Sequence, residues 1–187
     1  VQIYPETVEM LLLSGSNGRN QVPVSKVGKI VAKTMMTVMG SEKEAELIRN
    51  AQDLMFNKKI RNRSTKSDWL STNESEVGKY VQSNDMGFSF TTSAYYYLFN
   101  GICQNFNGIN LRRIPEEMPV LIFSGDRDPV GDYGKGPENL EKMYRKNGLK
   151  NVQLMLYENR RHELFNEGNR EQVIEDVTEF IKKNLPS

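Results

Sequence analysis

The 187-residue sequence contains one cysteine, Cys103, and one histidine, His162. A single thiol rules out a disulfide within the chain and fits a reducing compartment, so a cytoplasmic location is expected. One histidine and one cysteine are also a poor ligand set for a transition metal, and neither a metal nor an organic cofactor is expected. No apolar run approaches the ~18 residues that a membrane-crossing helix needs. The opening Val1-Gln2-Ile3-Tyr4-Pro5-Glu6 lacks the basic start and apolar stretch of a secretory signal. It also lacks an initiator methionine and reads as a start displaced from the natural one. Neither sign of charge is in excess, with 25 Lys and Arg against 24 Asp and Glu. Nothing global therefore points to nucleic acid or an anionic membrane as a partner. Repeats and low-complexity segments are absent. A hydrophobic share of 37% supports a core for one ordinary domain, or part of a larger one.

What is present is organised around residues 119 to 128. Val120, Leu121, Ile122 and Phe123 form a short apolar run, rich in β-branched and aromatic residues, that ends in Ser124-Gly125-Asp126. Its length and ending read as a strand. Being apolar on both faces, it suits the middle of a parallel sheet. In open α/β sheets the chemistry lies beyond the carboxyl ends of the strands, so Asp126 and Asp128 stand where a catalytic carboxylate would be. Val152 to Tyr157 is the next strand, and His162 lies in the polar turn after it. Pro137 opens a helix between the two strands, which Gly148 stops and Leu149 closes with a Schellman contact. The last helix, about Arg170 to Asn184, carries Val173, Ile174, Val177, Phe180 and Ile181 on one stripe. Strand, helix, strand, helix implies a parallel sheet.

The first half of the chain differs in pattern. Gln2-Ile3-Tyr4 reads as the last turn of a helix stopped by Pro5. Residues 8 to 13 are a strand, followed by a turn, Ser14-Gly15-Ser16-Asn17-Gly18. Residues 24 to 112 read as helical. Val27, Ile30, Val31, Thr34, Met35 and Val38 recur at helical spacing up to Gly40. Ser41 with Glu44 forms a capping box for a second helix through Met55. The basic run Lys58 to Arg63 lacks interleaved aromatics and reads as a solvated loop. Asp68-Trp69-Leu70-Ser71 precedes a short helix through Val81, and Thr91 or Ser93 starts another through Cys103.

Several residues are open to a chemical reading and to a plain one. Ser14 and Ser16 invite a nucleophile assignment, but their spacing is not Gly-x-Ser-x-Gly, and small residues favour turns for conformational reasons. Cys103 could pair with His162, yet it lies inside a helical pattern with no activating group beside it. Asp126-Arg127-Asp128-Pro129 is also a good turn sequence on propensity alone.

These segments resemble the C-terminal part of an α/β-hydrolase, closest to the group of monoacylglycerol lipases, lysophospholipases and serine aminopeptidases. The resemblance rests on Tyr4-Pro5-Glu6-Thr7-Val8-Glu9 leading into Leu11-Leu12-Leu13-Ser14-Gly15-Ser16, on Asp68-Trp69-Leu70-Ser71, and on Gly87-Phe88-Ser89-Phe90-Thr91. Its strongest pieces are Pro119 to Pro129 and Arg161-His162-Glu163-Leu164-Phe165-Asn166-Glu167. It implies a partial hydrolase core at 1–14 and 113–187, with parallel strands at 8–13, 119–124 and 152–157. It also implies a helical cap, or lid, over 15–112. By the same resemblance Asp128 is the acid of a Ser-His-Asp triad, with Asp126 the second choice, and His162 is the general base. The nucleophile elbow of the family, Gly-x-Ser-x-Gly, occurs nowhere in the sequence. The resemblance therefore places the serine and the oxyanion-hole donors upstream of Val1, and this chain alone is expected to be inactive. The implied substrate is a small apolar acyl or aryl ester, such as a monoacylglycerol or lysophospholipid. An aminopeptidase of the same fold and a non-catalytic binding or assembly fragment are the alternatives. The edge of strand 8–13 is expected to expose apolar surface, inviting self-association or docking of an N-terminal fragment.

Overall fold

The structure, a computed structural model, describes residues 1–185. Three parallel strands form one sheet in the order β1-β2-β3: β1 (Leu11–Ser14), β2 (Val120–Gly125) and β3 (Val152–Tyr157). β2 is central and wholly buried, as its unbroken apolar run requires. Alternation along it feeds two cores. Val120 and Ile122 pack with Leu140 and Tyr144 of helix α6 (Lys135–Lys146). Leu121 and Phe123 pack on the other face with Val173, Val177 and Phe180 of α7 (Arg170–Asn184). The sheet is thus sandwiched between α6 and α7, which fixes the loops at its carboxyl end.

Between β1 and β2 run α1 (Val22–Met39), α2 (Glu46–Asn57), α3 (Glu74–Gln82), α4 (Thr92–Asn105) and the short α5 (Gly108–Leu111). They carry a core of their own, in which Ala32 of α1 meets Ile48 of α2 and Tyr95 and Phe99 of α4. Gly28 is where α1 and α4 come closest: a Cβ there would lie 2.8 Å from the Phe99 ring.

The details correct the sequence reading in several places. β1 is shorter than 8–13, because pairing begins where Leu11 meets Val120, and its last paired residue is Ser14. β2 runs one residue later than expected, since Gly125 still pairs with Tyr157. Gln2-Ile3-Tyr4 is not helical; a single 3-10 turn spans Pro5–Thr7 instead. The Ser41–Glu44 capping box is not formed. Residues 44 and 45 are bound to Thr91 and Phe90, with the Ala45 amide donating to the Phe90 carbonyl at 2.9 Å, so α2 starts only at Glu46. Thr91 caps α4 by accepting from the Ala94 amide. α6 starts two residues before Pro137. Its Schellman ending is as read: the Leu149 amide donates to the Tyr144 carbonyl and that of Gly148, at φ +103°, to the Arg145 carbonyl. The apolar repeat of α1 faces outward, with Val27 and Ile30 63% and 65% exposed, while Ser25 and Ala32 are its buried residues.

Two measurements test this packing. A Cβ on Gly125 would sit 2.0 Å from the Arg160 carbonyl oxygen, so Gly125→Ala should cost about 3 kcal/mol in chemical denaturation, at the upper end of overpacking effects. Burial pushes the Tyr144 phenol from 10.0 up to about 12, and burial, with the bond to Asp176, pushes Tyr157 up as well. The folded state holds these protons more tightly than the unfolded chain. Their contribution is complete below about pH 10 and is lost as pH rises through the raised values, so the denaturation midpoint should fall steeply over that alkaline range.

Candidate active site

Asp128 and His162 meet at the carboxyl end of the sheet. β2 ends in a tight turn that delivers Asp128, and the loop after β3 delivers His162. Gly125 allows that meeting, because with no side chain it lets the backbone of Arg160 and Arg161 lie directly against the end of β2. The Arg127 amide donates to the Arg160 carbonyl at 2.9 Å and the Asp126 amide to that of Tyr157 at 3.0 Å, fastening the two loops.

Asp128 is fully buried. Its Oδ2 lies 3.0 Å from His162 Nδ1 and accepts the Ser124 hydroxyl at 3.2 Å. Its Oδ1 accepts the Val130 amide at 2.8 Å. Three partners thus occupy the carboxylate and fix its orientation. The following loop is unusual. Asp132, Tyr133 and Gly134 all have positive φ, two of them without the excuse of being glycine. The Tyr133 amide stabilises the turn by donating to the Asp128 carbonyl at 2.8 Å. Burial, and then the carboxylates of Asp132 and Asp128, hold the Tyr133 phenol above its ordinary value.

His162 is about one-quarter exposed. One side of its ring lies against Gly15 at the end of β1, where a Cβ would come within 2.8 Å of Nδ1 and Cε1. Trp69 lies against it too, with ring centroids 5.3 Å apart, and Trp69 in turn meets Phe56 of α2 at 5.0 Å. Beyond Phe56 a cavity of about 650 Å³ opens between α1, α2 and the loop after β2. Its walls are mainly apolar, with Val24, Val31, Leu47, Met55 and Val130 among them.

The other candidates fall elsewhere. Asp126 is not hydrogen-bonded to the imidazole: its Oδ1 has no hydrogen-bond partner and lies 3.9 Å from Arg127 Nε. Ser14 is exposed at the end of β1 and Ser16 is half-buried beside it. Cys103 is a half-buried thiol on α4. Among the described residues, no serine hydroxyl or cysteine thiol is hydrogen-bonded to His162. Sequence reasoning missed Gly15, Ser124 and Trp69 as neighbours of the pair. Trp69 and Gly15 reach His162 only through the fold, so local spacing carries no sign of them. Ser124 was legible in principle, as the last side chain of β2 before the glycine.

Comparison with known proteins follows the same lines. A family model described as serine aminopeptidase, S33, matches residues 1–169. Among solved structures, a highly thermostable carboxyl esterase from Bacillus coagulans, in complex with glycerol, superposes with a TM-score of 0.82 at 23% identity, covering 97% of this chain and 60% of that one. A lipase in its open form gives 0.80 at 22% identity, covering 95% and 57%. A soluble variant of monoglyceride lipase from Saccharomyces cerevisiae, in complex with a substrate analog, gives 0.66 at 14% identity, covering 98% and 61%. These likenesses show the fold. The chain spans about 60% of the length of the structures it matches. Comparison with curated proteins gives no match.

A methyl group on Gly15 would enter the space of the His162 ring. In Gly15→Ala, the Nδ1–Oδ2 distance should lengthen beyond hydrogen-bonding range, about 3.5 Å, in a crystal structure of the variant, and positive φ at this position adds to the strain.

Proposed function

Because the chain belongs to the serine aminopeptidase S33 family of α/β-hydrolases, we propose that it supplies the acid and base of a serine hydrolase that cleaves carboxylic esters. Asp128 is the acid and His162 the general base. The observation that carries this reading is the 3.0 Å contact between a fully buried carboxylate and the one imidazole of the chain. A serine hydroxyl is a poor nucleophile until a neutral imidazole takes its proton. A buried carboxylate on Nδ1 holds the imidazole in the tautomer that leaves Nε2 free to do so, and stabilises the imidazolium that results. His162 then returns the proton to the leaving alcohol, and in a second round activates the water that releases the acid.

The serine and the oxyanion-hole donors of this reading lie upstream of Val1. Among the described residues β1 is paired on one edge only, and a preceding strand on its other edge would bring a serine toward His162 across Gly15. The same edge, half-buried at Leu11 and Leu13 and next to exposed Ile3 and Tyr4, is where that segment docks. Residues 15–112 act as the cap. The cavity between α1, α2 and the loop after β2 takes the apolar acyl or aryl group, since the surface it presents is mainly apolar. The same walls favour an ester with an apolar acyl chain over a small aminoacyl amide, which is the rival within the family.

The full-length protein treated with a fluorophosphonate should gain a single adduct on a serine outside residues 1–187, and should turn over p-nitrophenyl acyl esters faster than aminoacyl amides. His162→Ala should lower the rate at least about 10⁴-fold and also slow labelling. An adduct on Ser14 or Ser16 would overturn the placement of the nucleophile. Undiminished turnover in His162→Ala would overturn the acid–base assignment itself.

A further inference from the structure

Glu167 is 1% exposed, as buried as Asp128, yet the chemistry above gives its carboxylate nothing to do. It lies five positions after His162 on the same loop. Its Oε1 accepts two amides, that of Arg161 at 2.8 Å and that of Thr72 at 2.9 Å. Its Oε2 accepts the Thr72 hydroxyl and lies 3.8 Å from Arg160 Nη1. A carboxylate withdrawn from water is costly unless its neighbours satisfy it, and here three donors and a guanidinium converge on one group.

The donors matter as much as their number. The Arg161 amide is one peptide away from His162, so Glu167 grips the backbone that carries the imidazole. Thr72 belongs to the segment that leads into α3, and that segment is bound to the same loop by four further hydrogen bonds. The Arg161 guanidinium donates to the carbonyls of Asp68, at 2.6 Å, and Ser71, at 3.0 Å. The Glu163 amide donates to the Leu70 carbonyl at 2.7 Å, and the Ser71 hydroxyl to that of Asn166 at 2.9 Å. The sheet side of the loop is fixed by Gly125 and Arg127; Glu167 fixes the opposite side. We propose that Glu167 is a positioning residue, whose bridge between the Thr72 and Arg161 amides sets the placement of His162 Nδ1 on Asp128. The proposal rests on the assignment of Asp128 and His162 as acid and base.

Glu167→Gln in the full-length protein keeps the shape but turns one acceptor oxygen into a donor facing other donors. The expected result is a fall in kcat for a p-nitrophenyl acyl ester of about 10- to 100-fold, with KM changed by less than about twofold, as for a misplaced catalytic group. The downfield Nδ1 proton signal of His162, assigned by its loss in His162→Ala, should broaden or move upfield. Thr72→Val removes only the hydroxyl and should move both readouts in the same direction by less. A lower melting temperature with wild-type kcat and an unmoved proton signal in Glu167→Gln would mean a purely structural role and overturn the proposal. If Glu167→Gln does not fold, wild-type kcat and proton signal in Thr72→Val overturn it. Full activity in His162→Ala would instead overturn the acid–base assignment, so the two failures are distinct.

Discussion

The loop after β3 lies so close over the end of β2 that only a residue without a side chain can stand between them. That constraint, at Gly125, decides where Arg160 and Arg161 run and hence where His162 can be. Two backbone hydrogen bonds, from Asp126 and Arg127, hold the approach. Once the loop is seated, Asp128 is sealed from water beneath the imidazole, and its lone pairs are taken by Ser124, Val130 and His162. The burial of the carboxylate is thus a consequence of the loop's seating. In low dielectric the alignment of such a pair is worth more than it would be in water, and a misalignment costs correspondingly more.

The residues that local chemistry governs were legible in the sequence, and those that the fold brings together were not. The run Val120 to Phe123 read as a buried strand, and the turn residues after it put Asp126 and Asp128 at the carboxyl end of the sheet. The Schellman ending at Gly148 and the last helix also follow from local pattern. The capping box at Ser41 failed because a tertiary bridge between residues 44 and 91 displaced a local preference by holding Ala45 outside the helix. The outward apolar repeat of α1 shows a second limit. Periodicity reports that a helix has an apolar stripe, not that the stripe is covered. Here the small residues Ser25 and Ala32 face inward because α4 approaches closely, and part of the larger stripe lines a cavity. Trp69, Gly15 and Glu167 fall in segments that carry the family resemblance, but nothing local shows what each touches, since each acts on residues far along the chain or through a backbone amide.

The helical segment is joined to the sheet unevenly. Near residues 68 to 73 it is bound to the histidine loop through backbone carbonyls and amides, which tolerate little displacement. At α1 and α2 it meets the sheet region chiefly through the walls of an open cavity and through Lys59, whose ammonium lies 3.9 Å over the Tyr133 ring. The two attachments are nevertheless linked through α2, because Phe56 rests on Trp69 and Trp69 on His162, so a change in how α1 and α2 stand apart would reach the imidazole as well as the cavity.

Trp69 is the only tryptophan among the 187 residues, and it rests on the only histidine. Indole emission depends on what lies against the ring, and here that is the imidazole on one side and the Phe56 ring on another. The emission of this one side chain therefore reports how the loop that carries His162 is seated. The contact that holds the ring in place is, in optical terms, a reporter already installed beside the imidazole.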